Sequence, residues 1–151
     1  MEWKHQILLA FVGTLGFALV FNVRKRLIFP SSFGGLLCWS VYLLCVRFFA
    51  MNGFYSAFMA SACAALYAEL IARTMEAPAT VIYIPSIVPL IPGSGLYYMM
   101  SAVVQRQWTD TMQYGMSTLQ CVLGIGVGMS IICAPFEMLT RIKNTCWREN
   151  L

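Results

Sequence analysis

The chain has 151 residues, of which 60% are hydrophobic and 11% are charged, and its formal net charge is +4. A soluble domain carries about 25% charged residues, so six acidic and ten basic side chains cannot give a globule of this size a water-compatible surface. Soluble globular and disordered proteins are therefore excluded. An all-α integral membrane protein remains, with room for about four to six spans of roughly 20 residues each.

Three apolar runs in the first half of the chain are predicted to cross the membrane. The first covers residues 5–23 and ends at the basic residues 24–26. The second covers 33–50, after a turn predicted at Pro30-Ser31-Ser32, and the third covers 54–73.

Small residues at helical spacing predict close helix packing in two of the runs. In the third run they form a stripe: Ala57, Ala60, Ser61, Ala64, Ala65, Ala68 and Ala72. In the last apolar run, 114–139, Gly124 and Gly128 form a GxxxG pair, which lets helix backbones approach closely in a bilayer. Pro135, near the end of that run, is predicted to bend or end the helix.

The run between them, 79–105, is apolar enough to enter the membrane, but we expect its helix to be broken. Its prolines and small residues follow in the order Pro85, Pro89, Pro92, Gly93, Ser94 and Gly95. Each proline removes a backbone donor and keeps the preceding residue out of the α region. Two half-helices, about 79–87 and 94–105, joined by an unwound segment are therefore predicted. The alternative is a proline kink that only shapes helix packing.

The distribution of basic residues predicts that this broken run crosses the membrane, which gives five spans in one membrane domain over 1–151. With five spans, one face carries seven basic residues and the other carries Lys4, Arg47 and Arg106. The alternative is a re-entrant hairpin, which gives four spans and divides the basic residues evenly. The positive-inside rule favours five spans, with the N-terminus outside and the C-terminus cytoplasmic. The seven basic residues are Arg24, Lys25, Arg26, Arg73, Arg141, Lys143 and Arg148.

The break is also the strongest functional signal, because unwound backbone at membrane depth is costly unless it is buried in protein or lines a wet cavity. A half-helix that begins near Ser94 would direct free N–H groups and its positive dipole end toward the middle of the membrane. Such a helix end can hold a carboxylate, as it does in secondary transporters. Ser94 could instead cap the helix. The predicted substrate-binding residues at the break are Pro89, Pro92, Gly93, Ser94, Gly95, Tyr97 and Tyr98.

Other polar residues give weaker signals. Asn22, at the end of the first span, could bond substrate or cap the helix. Glu69 could carry a coupling proton, but an i,i+4 ion pair with Arg73 is the favoured alternative, and Glu137 with Arg141 repeats this spacing. With His5 as the single histidine, no nucleophile–histidine couple or metal motif is supported. No enzyme activity, catalytic residue, metal, cofactor or nucleic-acid partner is therefore predicted.

Three motifs carry a resemblance to a known family. They are Phe21-Asn22, Phe58-Met59-Ala60-Ser61, and the segment from Ile84-Pro85 to Pro92-Gly93 with Tyr97. On these, the chain resembles the threonine/serine exporter family over nearly its whole length. It is similar specifically to the C-terminal membrane half, which also occurs as a separate small subunit.

The resemblance implies a function and a partner. It implies export of a small hydrophilic metabolite across a bacterial inner membrane, coupled to the ion gradient, so that the outside predicted above for the N-terminus would be the periplasm. The cargo would be a threonine- or serine-like amino acid, or a dicarboxylate such as succinate in split two-subunit members. The chain looks like the small subunit of such a split system, with a larger membrane subunit of the same family as its partner.

Three functional hypotheses remain open. The leading one is a subunit of a secondary exporter that alternates access by rocking of two halves. The second is a structural or assembly subunit of a membrane complex whose substrate site lies in the partner chain. The third is a passive channel, whose flux would ignore the proton gradient. A homo-oligomer is the alternative assembly, and membrane lipid surrounds the protein in each case.

Overall fold

The computed structural model describes residues 3–49 and 52–148, with only the helical backbone described for 3–4 and 139–148. Within these ranges the chain is helical and contains no strand, as the sequence predicts. The α-helices are α1 (Trp3–Val20), α2 (Lys25–Phe48), α3 (Gly53–Met75), α4 (Ala79–Ile87), α5 (Gly93–Val104) and α6 (Trp108–Arg148).

The lengths and compositions of these helices are those of a membrane protein. In the described part of the chain, α2, α3 and residues Trp108–Met138 of α6 are each long and apolar enough to cross a bilayer. The pair formed by Ala79–Leu90 and Gly93–Val104 passes the same test only when taken together, and it is bent by 48°. Helix α1 is apolar but shorter. The fold therefore provides three candidate spans, or four when the bent pair counts as one.

The helices define two ends of the bundle. Residues that connect α1 to α2 and α3 to α4 lie together, because Asn22 and Leu27 line the same cavity as Met75 and Val81. We call this the basic end, since residues 24–26 lie there. The connection between α5 and α6, residues 105–107, lies at the other end, since Gly124, well inside α6, already meets Phe54 at the start of α3.

The small-residue stripe of α3 lies in the core, as predicted, and α6 packs along it. All seven stripe residues are buried. A Cβ atom built on Gly124 would overlap the carbonyl oxygen of Phe54, and one built on Gly128 would overlap the side chain of Ser61. The later glycine, Gly128, meets the later residue of α3, Ser61, so α3 and α6 run parallel. The predicted GxxxG packing face is confirmed.

Helix α2 begins at Lys25, eight residues before the predicted span, so the turn predicted at Pro30-Ser31-Ser32 is wrong. Pro30 lies in the second turn of α2, where its missing N–H costs one helical hydrogen bond. The hydroxyls of Ser31 and Ser32 donate to carbonyls four residues earlier, at 2.8 and 2.9 Å. Both serines are buried, so packing and these bonds keep the segment helical against its turn-forming composition.

Two half-helices occur close to the predicted limits 79–87 and 94–105, but the irregular segment between them is shorter than expected. Pro85 stays inside α4, and Val88–Leu90 form a 3₁₀ turn. Between α4 and α5, only Ile91 and Pro92 lie outside any helix. In α6, Pro135 does not end the helix, which continues to Arg148.

Candidate functional site

The chain leaves the helical conformation at Ile91 and Pro92, and this frees backbone donors at the start of α5. Ile91 is extended, with φ −62° and ψ 123°, and Pro92 has φ −77° and ψ 59°. The N–H of Gly93 donates to Ile91 at 2.7 Å. For the N–H groups of Ser94 and Gly95, the structure shows no backbone acceptor among the residues it describes. These two amides are therefore available at the helix N-terminus.

Ser94 and Gly95, which carry these amides, both line a cavity of about 210 Å³. We call it the break cavity. Its walls come from the break, from α2, from the start of α3 and from α6. The residues that line it are Trp39, Tyr42, Gly53, Pro89, Leu90, Ile91, Pro92, Ser94, Gly95, Ser117, Thr118 and Cys121.

Two polar side chains in the wall of the break cavity have no hydrogen-bond partner. They are the indole Nε1 of Trp39 and the hydroxyl Oγ1 of Thr118, both of them buried atoms. Thr118 is only 7% exposed. A buried polar group without a partner costs roughly 1–3 kcal/mol, so folded proteins rarely keep one without a reason. Two such groups in one cavity indicate a place where a polar ligand or water binds.

Gly95 brings the break close to α6. A Cβ atom at position 95 would overlap the hydroxyl of Thr118, whereas a Cβ atom at Gly93 would meet nothing within 4 Å. The sequence predicts a close backbone approach at both glycines, but the structure shows one only at Gly95. Because Gly95 has no side chain, its free N–H and the Thr118 hydroxyl can face the same small volume.

The other residues predicted at the break divide into two groups. Pro89, Pro92 and Ser94 line the break cavity, although Ser94 does not cap α5 through its side chain. Tyr97 and Tyr98 are 69% and 52% exposed and do not line it. These two tyrosines stack edge to face, and Tyr98 also contacts the ring of Tyr114 in α6.

Asn22 lies at the basic end, away from the break. Its backbone is left-handed, with φ 52°, and its N–H donates to Leu19 while that of Val23 donates to Ala18, both at 3.0 Å. This is the double bond of a Schellman helix end, in which asparagine tolerates the left-handed conformation. The structure thus gives Asn22 the capping role, although it also borders a cavity of about 460 Å³.

Glu69 lies in a larger space of about 560 Å³ at the basic end, between α4 and α6 with α3 behind them. We call this the charged cleft. The predicted ion pair between Glu69 and Arg73 is not formed among the described side chains. The Arg73 guanidinium lies over the ring of Phe136 instead, 4.7 Å from its centroid, where a cation is attracted to the aromatic face. Glu137 also lines the cleft, and the side chain of Arg141 lies outside the described residues.

Sequence reasoning missed Trp39, Thr118 and Tyr83. Like the other two, Tyr83 has a buried polar side-chain atom, its hydroxyl, without a hydrogen-bond partner among the described residues. Serine and threonine hydroxyls in apolar helices usually bond a carbonyl one turn earlier. Thr14 in α1 does this, at 2.7 Å. Since the sequence does not distinguish Thr14 from Thr118, it contains no signal for the unpaired hydroxyl. In residues 3–49 and 52–148, no group of three or more His, Cys, Asp or Glu side chains is placed to hold a metal ion.

Comparison with known protein families gives a match over most of the chain. The family model described as "Threonine/Serine exporter, ThrE" matches residues 6–134, which include the break, the small-residue stripe and the GxxxG pair. No curated protein and no solved structure matches the chain.

Proposed function

The chain belongs to the threonine/serine exporter (ThrE) family, and we propose that it carries small amino acids out of the cell through a site in the break cavity. Its family is one of membrane transporters. The observation that carries the proposal is the set of unpaired donors at the break. The residues that carry two backbone amides, one hydroxyl and one indole N–H without partners line the same space of about 210 Å³.

These groups match the carboxylate end of an amino acid. The amides of Ser94 and Gly95 lie at the positive end of the α5 dipole, which favours an anion. Thr118 and Trp39 each add a donor from a neighbouring helix. The cavity is smaller than the roughly 300–1,000 Å³ of a drug-sized pocket, so it suits a small metabolite. Succinate, with two carboxylates, is the alternative cargo at this site.

We propose that α4 and α5 form one broken span, so that the chain crosses the membrane five times. A bend of 48° lets α5 continue away from the basic end, whereas a re-entrant hairpin would double back. In support, Gly95 lies beside Thr118 while Tyr98 lies beside Tyr114, so α5 runs antiparallel to α6. At 1.5 Å per residue, the 18 residues of α1 extend about 27 Å, close to the bilayer core of about 30 Å.

This arrangement orients the protein in a bacterial inner membrane. The basic residues 24–26 and Arg73 share one end of the bundle, which the positive-inside rule makes cytoplasmic. The N-terminus is then periplasmic and the C-terminus cytoplasmic. A reporter fused to the C-terminus and active only in the periplasm should stay silent, and activity of that reporter would overturn the orientation.

Export against a gradient requires coupling, and Glu69 is our candidate for the coupling proton. It is half-buried in the charged cleft and forms no ion pair with Arg73. We expect Glu69→Gln to permit threonine exchange while removing its response to an imposed proton gradient, measured in proteoliposomes. An unchanged response to the gradient would exclude Glu69 from coupling.

The outer face of α6 supports a partner, which we propose to be a larger membrane subunit of the same family. Thr109, Gln113, Ser117 and Gln120 lie along a shallow groove on this face. Side-chain amides and hydroxyls at membrane depth usually hydrogen-bond across helices. Ser117 also lines the break cavity, so a partner on this groove would complete the site.

The groove gives specific support to the alternative function as well, namely a structural subunit whose partner holds the whole site. Purification of the native complex in mild detergent should recover a larger membrane chain. A scaffold predicts that variants in the break cavity lose export only when they also lose this partner. An exporter subunit predicts lost export from an intact complex.

The decisive experiment replaces the unpaired hydroxyl. Thr118→Val keeps the shape of the side chain and breaks no hydrogen bond within the chain, so the thermal midpoint should be unchanged or higher. Threonine efflux from preloaded cells should fall about tenfold, as expected for one lost hydrogen bond to a charged ligand. Ser130→Ala is the control, because that exposed α6 hydroxyl only donates to Gly126 at 2.8 Å. Wild-type efflux by Thr118→Val would refute the site.

A further inference from the structure

The charged cleft is separate from the break cavity and has the opposite chemistry. It opens at the basic end, where α4 and α6 both pack on α3 but leave about 560 Å³ between them. Small side chains of α3 form its floor: Ala65, Ala68 and Ala72. None of its lining residues lines the break cavity. The cleft therefore requires its own explanation.

Acceptors dominate the polar lining of the cleft. Glu69 comes from α3 and Glu137 from α6, and both carboxylates are free of ion pairs among the described side chains. One guanidinium, that of Arg73, belongs to the same lining, but it rests on the Phe136 ring at 4.7 Å. Two carboxylates against one guanidinium leave the lining with a net negative charge. A cleft of this kind attracts a cation and repels a dianion.

Tyr83 gives an independent sign that a polar group binds here. It lies on α4, lines the cleft and is only 4% exposed. Its hydroxyl is buried without a hydrogen-bond partner, although buried tyrosine hydroxyls usually find one. A phenol oxygen can accept a hydrogen bond from an ammonium group or donate one to a carboxylate. A ligand in the cleft would satisfy it.

We propose that the charged cleft is a second substrate site, which binds the ammonium group of an amino acid through Glu69, Glu137 and Tyr83. The inference rests on the proposed function, because it places the cleft at the cytoplasmic end from which an exporter takes its cargo. An ammonium group has three donors, and the cleft offers two carboxylates and a phenol oxygen as acceptors. The break cavity, lined by donors, then takes the carboxylate end.

The two sites together select the substrate class. A zwitterionic amino acid satisfies the acceptors of the cleft and the donors of the break cavity in turn. Succinate has no ammonium group and would add two negative charges to a lining that is already negative. The cleft therefore discriminates against dicarboxylates before they reach the break cavity, and ammonium-bearing substrates pass.

The test separates the two ends of the ligand. Full-length protein in mild detergent is titrated with L-threonine methyl ester, which keeps the ammonium group but lacks the carboxylate, and with N-acetyl-L-threonine, which lacks the ammonium group. The ester should bind, and N-acetyl-L-threonine should not compete with it. Glu69→Gln combined with Glu137→Gln should weaken ester binding at least about tenfold, as expected for lost charge-assisted hydrogen bonds.

Two controls make the result decisive. Glu76→Gln makes the same charge change at the same end of the bundle, but position 76 lines a different cavity, so ester binding should be unchanged. Ser130→Ala, which removes an exposed α6 hydroxyl that lines neither cavity, should also leave ester binding unchanged. The proposal fails if the wild type does not bind the ester, if N-acetyl-L-threonine competes equally, or if the double glutamine variant binds the ester normally. In each of those cases the efflux test with Thr118→Val still decides the proposed function separately.

Discussion

Two helix junctions in this protein are built in opposite ways. Where α6 meets α3, the backbones touch so closely that a Cβ atom at Gly124 or Gly128 would overlap a carbonyl oxygen of α3. Where α6 meets the break before α5, a space of about 210 Å³ remains, bordered by polar atoms without partners. One helix thus takes part in both a closely packed contact and an open one.

The difference indicates that the α3–α6 contact stabilises the fold, whereas the break before α5 does not. In the α3–α6 contact, the buried stripe residues are small and apolar, or bonded in the case of Ser61, whose hydroxyl donates to the carbonyl of Phe58 at 3.0 Å. Such an interface stabilises the fold, and its substitutions should act on stability. At the break, polar groups are left unsatisfied at a cost in stability, so substitutions there should act on transport instead.

The largest effect is expected at the α3–α6 contact. Gly124→Ala places a methyl group against the Phe54 carbonyl, and a backbone atom cannot move aside as a side chain can. We expect destabilisation of about 1–3 kcal/mol and a lower thermal midpoint in detergent. Gly126→Ala is the matched control, since nothing lies within 4 Å of its Cβ position. Equal thermal midpoints for the two variants would mean that the α3–α6 contact is not closely packed at Gly124.

A smaller effect on stability and a larger one on transport are expected at the break. Gly95→Ala places its methyl group where the Thr118 hydroxyl lies, so the hydroxyl that we assign to the carboxylate must move away. Threonine efflux should fall at least about tenfold, a loss of about 1.4 kcal/mol of binding. Gly93→Ala, two residues away, should export normally because its Cβ position is open. Loss of efflux in both variants, or in neither, would contradict the site.

The smallest effect is expected for Trp39→Phe, which removes the unpaired indole N–H and keeps an aromatic ring on α2. A neutral donor contributes about 0.5–1.5 kcal/mol, so efflux should fall a few-fold without loss of stability. Trp108→Phe, on the exposed start of α6, is the control. A lower thermal midpoint for Trp39→Phe would mean that the indole packs structurally instead of binding.

Some features could be predicted because they depend on neighbours in the chain. The limits of α4 and α5 follow from Pro89, Pro92 and Gly93, which act on backbone within one turn. The buried stripe follows from the period of small residues. The same local reasoning failed at Pro30, because burial of Ser31 and Ser32 among other helices outweighed their preference for a turn.

The amino-acid sequence by itself determined that this is a helical membrane protein, where its helix is interrupted, and which faces of α3 and α6 are small enough to pack. Only the tertiary structure decided that Thr118 stands against Gly95, and that Glu69, Tyr83 and Glu137 border one cleft. The physical reason is the distance along the chain over which each effect acts. Backbone preferences act over a few residues, whereas a site forms from side chains tens of residues apart, whose meeting depends on how whole helices pack.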